Sequence, residues 1–75
     1  MVDLSDPNVI HEIFTYHPPS PEQQQNYVAI RAAAEVMAQV IVANTPKSPD
    51  QTTAIRKLRE AVMTANAAIA LKGLV

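Results

Sequence analysis

Phe14-Thr15-Tyr16-His17-Pro18-Pro19-Ser20-Pro21-Glu22-Gln23 is the stretch around which the chain is organised. It carries two of the three aromatic residues, one of the two histidines and three of the six prolines. Proline fixes its own φ and pushes the preceding residue out of the α region. His17-Pro18-Pro19 therefore reads as an extended connector, with Tyr16 and His17 on a stiff arm. Ser20-Pro21-Glu22-Gln23 then reads as a helix start. Serine caps, proline takes the first helical position, and glutamine three residues after the cap completes a capping box.

Upstream of the arm, Met1 to Ser5 reads as loose chain. Asp6-Pro7 reads as an N-cap followed by proline at the first helical position. A short helix is expected from about Pro7 to Thr15. Its Val9, Ile10, Ile13 and Phe14 fall on one stripe. About two turns cannot stand alone in water, so this helix must dock on its own hairpin or on a neighbouring subunit.

Downstream, a long helix is expected from Pro21 to about Ala43. Tyr27, Ile30, Ala34, Met37 and Ile41 repeat at 3, 4, 3, 4, a bundle-type seam. Val28, Ala32, Val36 and Val40 add a second apolar row. Asn44-Thr45-Pro46-Lys47 breaks the helix, and Ser48-Pro49-Asp50-Gln51 repeats the earlier start signal almost letter for letter. The next helix is expected to run from Pro49 to about Lys72. Its seam is Ile55, Leu58, Val62, Ala65 and Ile69, flanked by the small row Ala54, Ala61 and Ala68. Gly73 suits the C′ position, and Lys72 the negative end of the helix dipole. The fold class is therefore all-α. A short N-terminal helix (about 7–15) precedes a long antiparallel α-hairpin (about 21–43 and 49–72), all within one domain, 1–75. A two-helix hairpin has no enclosed core, so assembly into a closed homo-oligomer is expected.

Composition narrows the function. At 75 residues, about 60–65% of the unfolded surface can be buried, which leaves little stability to spare. Absent cysteine removes disulfides and thiolate metal sites as remedies. The formal net charge of −1 creates no positive field for duplex DNA or RNA. No uninterrupted apolar run reaches the roughly 18–20 residues of a bilayer span. The start Met1-Val2-Asp3-Leu4 lacks the basic and apolar regions of a signal peptide. A cytosolic protein with no membrane partner is the expectation.

Few residues suggest chemistry. His11 and His17 lack metal-ligand spacing, so no metal or cofactor is expected. Ser20 and Ser48 are accounted for as caps, and no paired carboxylates or nucleophile motif point to an enzyme. Arg31 follows an isoleucine of the seam, where a guanidinium beside an apolar surface suits a phosphate. Spacing alone favours an ion pair with Glu35, four residues on, or with Glu22 of another chain. Tyr16 on its arm is either a platform for a nucleobase face or a cap on the end of the hairpin. Arg56, Lys57, Arg59 and Glu60 read as a solvated face, and Met37 and Met63 as core.

Three motifs occur together in order. They are Tyr16-His17-Pro18-Pro19, then Tyr27-Val28-Ala29-Ile30-Arg31, then the run from Leu58 to Ala70 containing Ala61-Val62-Met63-Thr64-Ala65-Asn66-Ala67. From Phe14 to Ala70 the chain resembles the phage-encoded anti-CBASS sponges of the second type. The resemblance implies a helical homohexamer in the cytoplasm of an infected bacterium. It would bind cyclic dinucleotides such as cyclic GMP-AMP between subunits, and in some relatives cyclic trinucleotides at separate sites. The signal would be sequestered, not cleaved, so that the CBASS effector stays silent. Carried over by motif, Tyr16 would stack on a base and Arg31 would contact phosphate, where some relatives carry lysine. His17, Pro18 and Pro19 would line the same pocket, and Lys72 would serve the trinucleotide site.

Helix geometry adds one expectation. Arg31 lies about 15 Å into its helix while Tyr16 precedes that helix. Unless the arm folds back, one pocket takes its Tyr16 and its Arg31 from different chains. The alternatives are a structural or adaptor helical oligomer that binds a protein partner, and a cyclic-nucleotide phosphodiesterase.

Overall fold

Each helix begins where serine or aspartate meets proline in the computed structural model, which describes residues 2–75. Met1, part of the expected domain, lies outside the described residues. The element order is α1 (Pro7–Ile13), α2 (Pro21–Asn44) and α3 (Pro49–Ala70), with no strand among the described residues.

The start is tied down more than the sequence suggests. The Asp3 carboxylate accepts from the Ser5 amide at 2.9 Å and from its hydroxyl at 2.7 Å, and the Asp6 amide donates to the Asp3 carbonyl at 3.2 Å. Asp6 caps α1 by accepting from the Asn8 amide at 2.9 Å. The helix closes at Ile13, two residues before the expected Thr15. Thr15 turns back instead, its hydroxyl donating to the His11 carbonyl at 2.6 Å and its amide to Glu12 at 3.3 Å. Two orphan carbonyls are satisfied this way, and the chain leaves into the arm.

Ser20 and Gln23 form the full capping box at the start of α2. The helix runs to Asn44, one residue past the expected Ala43. Thr45 is extended (φ −129°, ψ 149°), as a residue before proline prefers. At the far end, α3 closes at Ala70 instead of Lys72. The Gly73 amide donates to the Ala68 carbonyl at 3.0 Å and the Lys72 amide to Ile69 at 3.2 Å. This is a Schellman motif with Lys72, not Gly73, at C′. Lys72 takes φ +52° and Gly73 φ +76°. The left-handed region costs a side-chain-bearing residue about 1–2 kcal/mol and glycine almost nothing.

The two long helices pack antiparallel, and α1 makes no packing contact with either. Of the two docking sites expected for α1, its own hairpin is not used. Tyr27, Ile30, Ala34 and Ile41 are half-buried, opposite Ile55, Leu58, Val62, Ala65 and Ile69. Met37 departs from the expected seam: it is half-exposed, and Ala38 takes the inner position. Met63 also faces outward, at 59% exposure. Both methionines read as core only if the hairpin encloses volume, and a single helix pair does not. No side chain among the described residues is fully buried.

The surface measures this openness. The chain exposes 5973 Å², against about 4,500 Å² for a folded monomer of 8.2 kDa. Its radius of gyration is 15.7 Å, against about 11 Å for a closed domain of this length. The second apolar row behaves as an unpartnered face, with Val28 and Val36 each 58% exposed. By length and composition α2 is also apolar enough to cross a membrane, with a mean hydropathy of 1.2 over its best 18-residue window. No apolar run in it reaches 18 residues, as expected. The window includes Arg31 and Glu35, which break every run but do not outweigh the alanines and valines around them.

Candidate functional site

The residues singled out by sequence divide between two places on the hairpin. The first is its open end, where the arm enters α2 and α3 finishes. His17 is anchored there: its Nε2–H donates to the Glu12 carbonyl at 2.8 Å and lies 3.6 Å from the Glu12 carboxylate. A carbonyl can only accept, so Nε2 is the donor in this bond. This bond ties the arm to the last turn of α1. Pro18 and Pro19 follow, and Tyr16 projects outward at 80% exposure.

An open depression of about 710 Å³ occupies this end. His17, Pro18, Pro19, Glu22 and Asn26 line one side of it, and Lys72 and the end of α3 the other. Gln23 holds the two sides together. Its Oε1 accepts from the Ser20 amide at 3.0 Å, while its Nε2 donates across the hairpin to the Ile69 carbonyl at 3.1 Å. One turn further, the Tyr27 hydroxyl reaches the Asn66 carbonyl at 3.5 Å. The Asn66 side-chain oxygen is buried without a hydrogen-bond partner, an acceptor whose isolation costs free energy. Four of the expected site residues thus meet here: His17, Pro18, Pro19 and Lys72. Lys72, assigned by resemblance to a separate trinucleotide site, lies beside the proline arm within a single chain.

The second place is a groove of about 380 Å³ midway along the hairpin. Arg31 and Glu35 form its α2 rim, and Arg59 and Met63 its α3 rim. The floor is apolar, built from Ala34, Ala38, Ile55, Leu58 and Val62. Arg31 makes no ion pair with Glu35, contrary to what the four-residue spacing favours. Among the described residues no lysine or arginine lies within 4 Å of a carboxylate; the one contact of that kind is made by His17 to Glu12. Both Arg31 and Glu35 are exposed, and a solvated i,i+4 pair is worth only about 0.3–0.5 kcal/mol, too little to fix two long side chains.

Arg59 is exposed, as a solvated face requires, and it also stands across the groove from Arg31. A signal for it was present in the sequence. Arg31 follows Ile30 and precedes Ala34 by three, and Arg59 follows Leu58 and precedes Val62 by three. The two guanidiniums occupy the same edge position relative to their seams. Tyr16 and Arg31 are not brought together within one chain: neither lines the depression at the open end, and Tyr16 does not line the groove.

The arrangement suits binding of a small anion with planar, apolar parts. No group of three or more His, Asp or Glu residues is placed to hold a metal ion among the described residues. Guanidiniums beside an apolar floor bind phosphate more strongly than in open water, because less solvent competes.

No curated protein and no solved structure matches the chain. The family model described as the Acb2/Tad1 hairpin domain matches residues 6–70, from the cap of α1 to the last residue of α3. With 65 of its 75 residues matched, motifs and hairpin together, this chain belongs to the Acb2/Tad1 family of anti-CBASS sponges, a family of binders and not of enzymes.

Proposed function

We propose that this protein binds cyclic dinucleotide second messengers, such as cyclic GMP-AMP, in pockets between subunits of a homohexamer, and releases them unchanged. In the cytoplasm of an infected bacterium this lowers the free signal and keeps the CBASS effector inactive. Tyr16 stacks on a base, Arg31 holds a phosphate, and His17, Pro18 and Pro19 shape the pocket wall. Lys72, which borders the same depression as the proline arm, serves cyclic trinucleotides.

One observation carries this function. Tyr16 is 80% exposed on a stiff arm, and Arg31 stands on the rim of an apolar groove elsewhere, with no ion pair among the described residues. Each lacks an intrachain partner of the kind its chemistry suits, and each suits one part of the same nucleotide. A two-fold-related pocket would offer two tyrosines to two bases and two guanidiniums to two phosphates. A protein of net charge −1 can hold a dianion in that way, because the positive charge is local and partly desolvated.

Calorimetric titration against a panel of cyclic di- and trinucleotides tests it. Binding of a cyclic dinucleotide is expected, with the same compound recovered after heat release. No binding by the native protein ends the sponge function, and recovery of a linear product makes the protein a phosphodiesterase. The exposed apolar rows also suit an adaptor. Light scattering separates the two, since a sponge of this kind is a closed oligomer.

A further inference from the structure

Charge is divided unevenly along the chain. Residues 1–17 hold Asp3, Asp6 and Glu12 and no lysine or arginine, for a formal charge of −3. The rest holds all six lysines and arginines against Glu22, Glu35, Asp50 and Glu60, for +2. The acidic part is also the part without a place to pack. α1 touches neither long helix, yet it presents Ile10 at 39% and Phe14 at 83% exposure. A seven-residue helix with an apolar stripe is not stable in water by itself.

The groove between Arg31 and Arg59 has the complementary character. Its floor is aliphatic, and its rims carry two guanidiniums and one carboxylate, Glu35, a net positive charge with none of the three in an ion pair among the described residues. Of the other grooves on the hairpin, one carries Arg56 and Arg59 but has Ile55 as its single aliphatic lining residue, and two carry no cation.

We propose that α1 of one copy docks in the Arg31–Arg59 groove of a second copy, with Phe14 as the apolar anchor against Val62 and Met63 and Glu12 facing Arg59. The prolines after His17 hold α1 away from its own hairpin and so present it to a neighbour. Tyr16 lies two residues beyond Phe14, within about 7 Å along an extended chain. Docking therefore delivers Tyr16 of one copy to Arg31 of the other. Only that last step rests on the sponge function; the docking stands on packing and charge alone.

The chain contains no cysteine, so engineered pairs report without background. Phe14→Cys and Met63→Cys are purified separately, mixed and mildly oxidised, and the products are weighed by mass spectrometry. Both positions are exposed, so circular dichroism should match the native protein. The expected result is a disulfide heterodimer several-fold in excess of either homodimer. Arg59→Glu in the Met63→Cys chain should cut that yield several-fold, and Glu12→Arg in the Phe14→Cys chain should restore it. Homodimers alone, or no cross-link, overturn the docking. So does an intrachain disulfide when both cysteines are in one chain. Titration of the native protein with a cyclic dinucleotide runs beside it. Cross-linking without ligand binding ends the sponge function and leaves the docking. Ligand binding without cross-linking does the reverse.

Discussion

The two ends of the hairpin start from nearly the same four residues and use them differently. At the loop end, Ser48 accepts from the Gln51 amide at 3.2 Å, but Gln51 does not close a box. Its Nε2 donates back over the loop to the carbonyl and hydroxyl of Thr45, both at 3.1 Å. Asn44 and Thr45 reach Val40 and Ile41 in the same way, so this end is satisfied within a few residues. At the open end, Gln23 closes its box and then crosses to Ile69, 46 residues away in sequence. Around it lie a left-handed lysine, an orphaned amide oxygen, an exposed tyrosine and an open depression. The loop end spends its polar side chains on its own backbone, and the depression beside it is about 240 Å³ against about 710 Å³ at the open end. The end that depends on long-range bonds keeps polar groups and space for a ligand.

The sharpest way to break this contrast is at the ligand. Tyr16→Ala should weaken cyclic dinucleotide binding by about 1–3 kcal/mol per stacked base. Arg31→Ala should lose about 1.5–3 kcal/mol of charge-assisted contact. Lys47→Ala at the loop end should leave the affinity unchanged. Calorimetry on all three decides the matter, with oligomer mass checked beside it; normal affinity in both site variants refutes the assigned pocket.

Next in size is the glutamine pair. Gln23→Ala removes a box bond and a cross-hairpin bond and should cost about 2 kcal/mol, whereas Gln51→Ala should cost about 1 kcal/mol. Gln23→Glu sharpens the test. It keeps an acceptor for the Ser20 amide and loses the donor to Ile69, so about half the effect should return. Melting at fixed protein concentration measures each, since the proposed assembly would make Tm depend on concentration. If the two alanine variants melt alike, the cross-hairpin bond contributes nothing.

Lys72→Gly should stabilise the protein by up to about 1 kcal/mol, because glycine adopts the left-handed C′ position without strain and gives back part of that gain in the unfolded chain. The same variant should lose any trinucleotide affinity that Lys72 supplies. An unchanged or lower melting temperature would show that Lys72 makes compensating contacts.

The smallest effect lies outside both ends. The Ser5 hydroxyl and amide hold the Asp3 carboxyl below its ordinary value of 3.8. A depressed carboxylate contributes stability that is present above that ordinary value and lost as pH falls through the lowered one. Titration followed by NMR should find Asp3 ionising below the usual range in the native protein, and closer to 3.8 in Ser5→Ala.

What could be read from residues alone was whatever neighbours in sequence decide. The caps at Asp6, Ser20 and Ser48, the break at Thr45-Pro46 and most of both seams follow from bonds spanning a few residues. Tyr16, His17 and Arg31 stood out for similar reasons, since a proline arm and a seam edge are local facts. Met37 was misplaced because periodicity allows two inner positions a residue apart, and only the approach of α3 chose Ala38. Arg59 was passed over because its value depends on facing Arg31, which no window of α3 contains.

The chain by itself determined three helices, their starts and the apolar stripes that must be covered, because backbone capping and helical period act over one or two turns. The tertiary structure alone decided which glutamine spans the hairpin, that Lys72 and the proline arm share one depression, that Arg31 and Arg59 face one groove, and that α1 finds no seat on its own hairpin. Those outcomes depend on the distance and facing of segments tens of residues apart. Only the packing of α2 on α3 sets them.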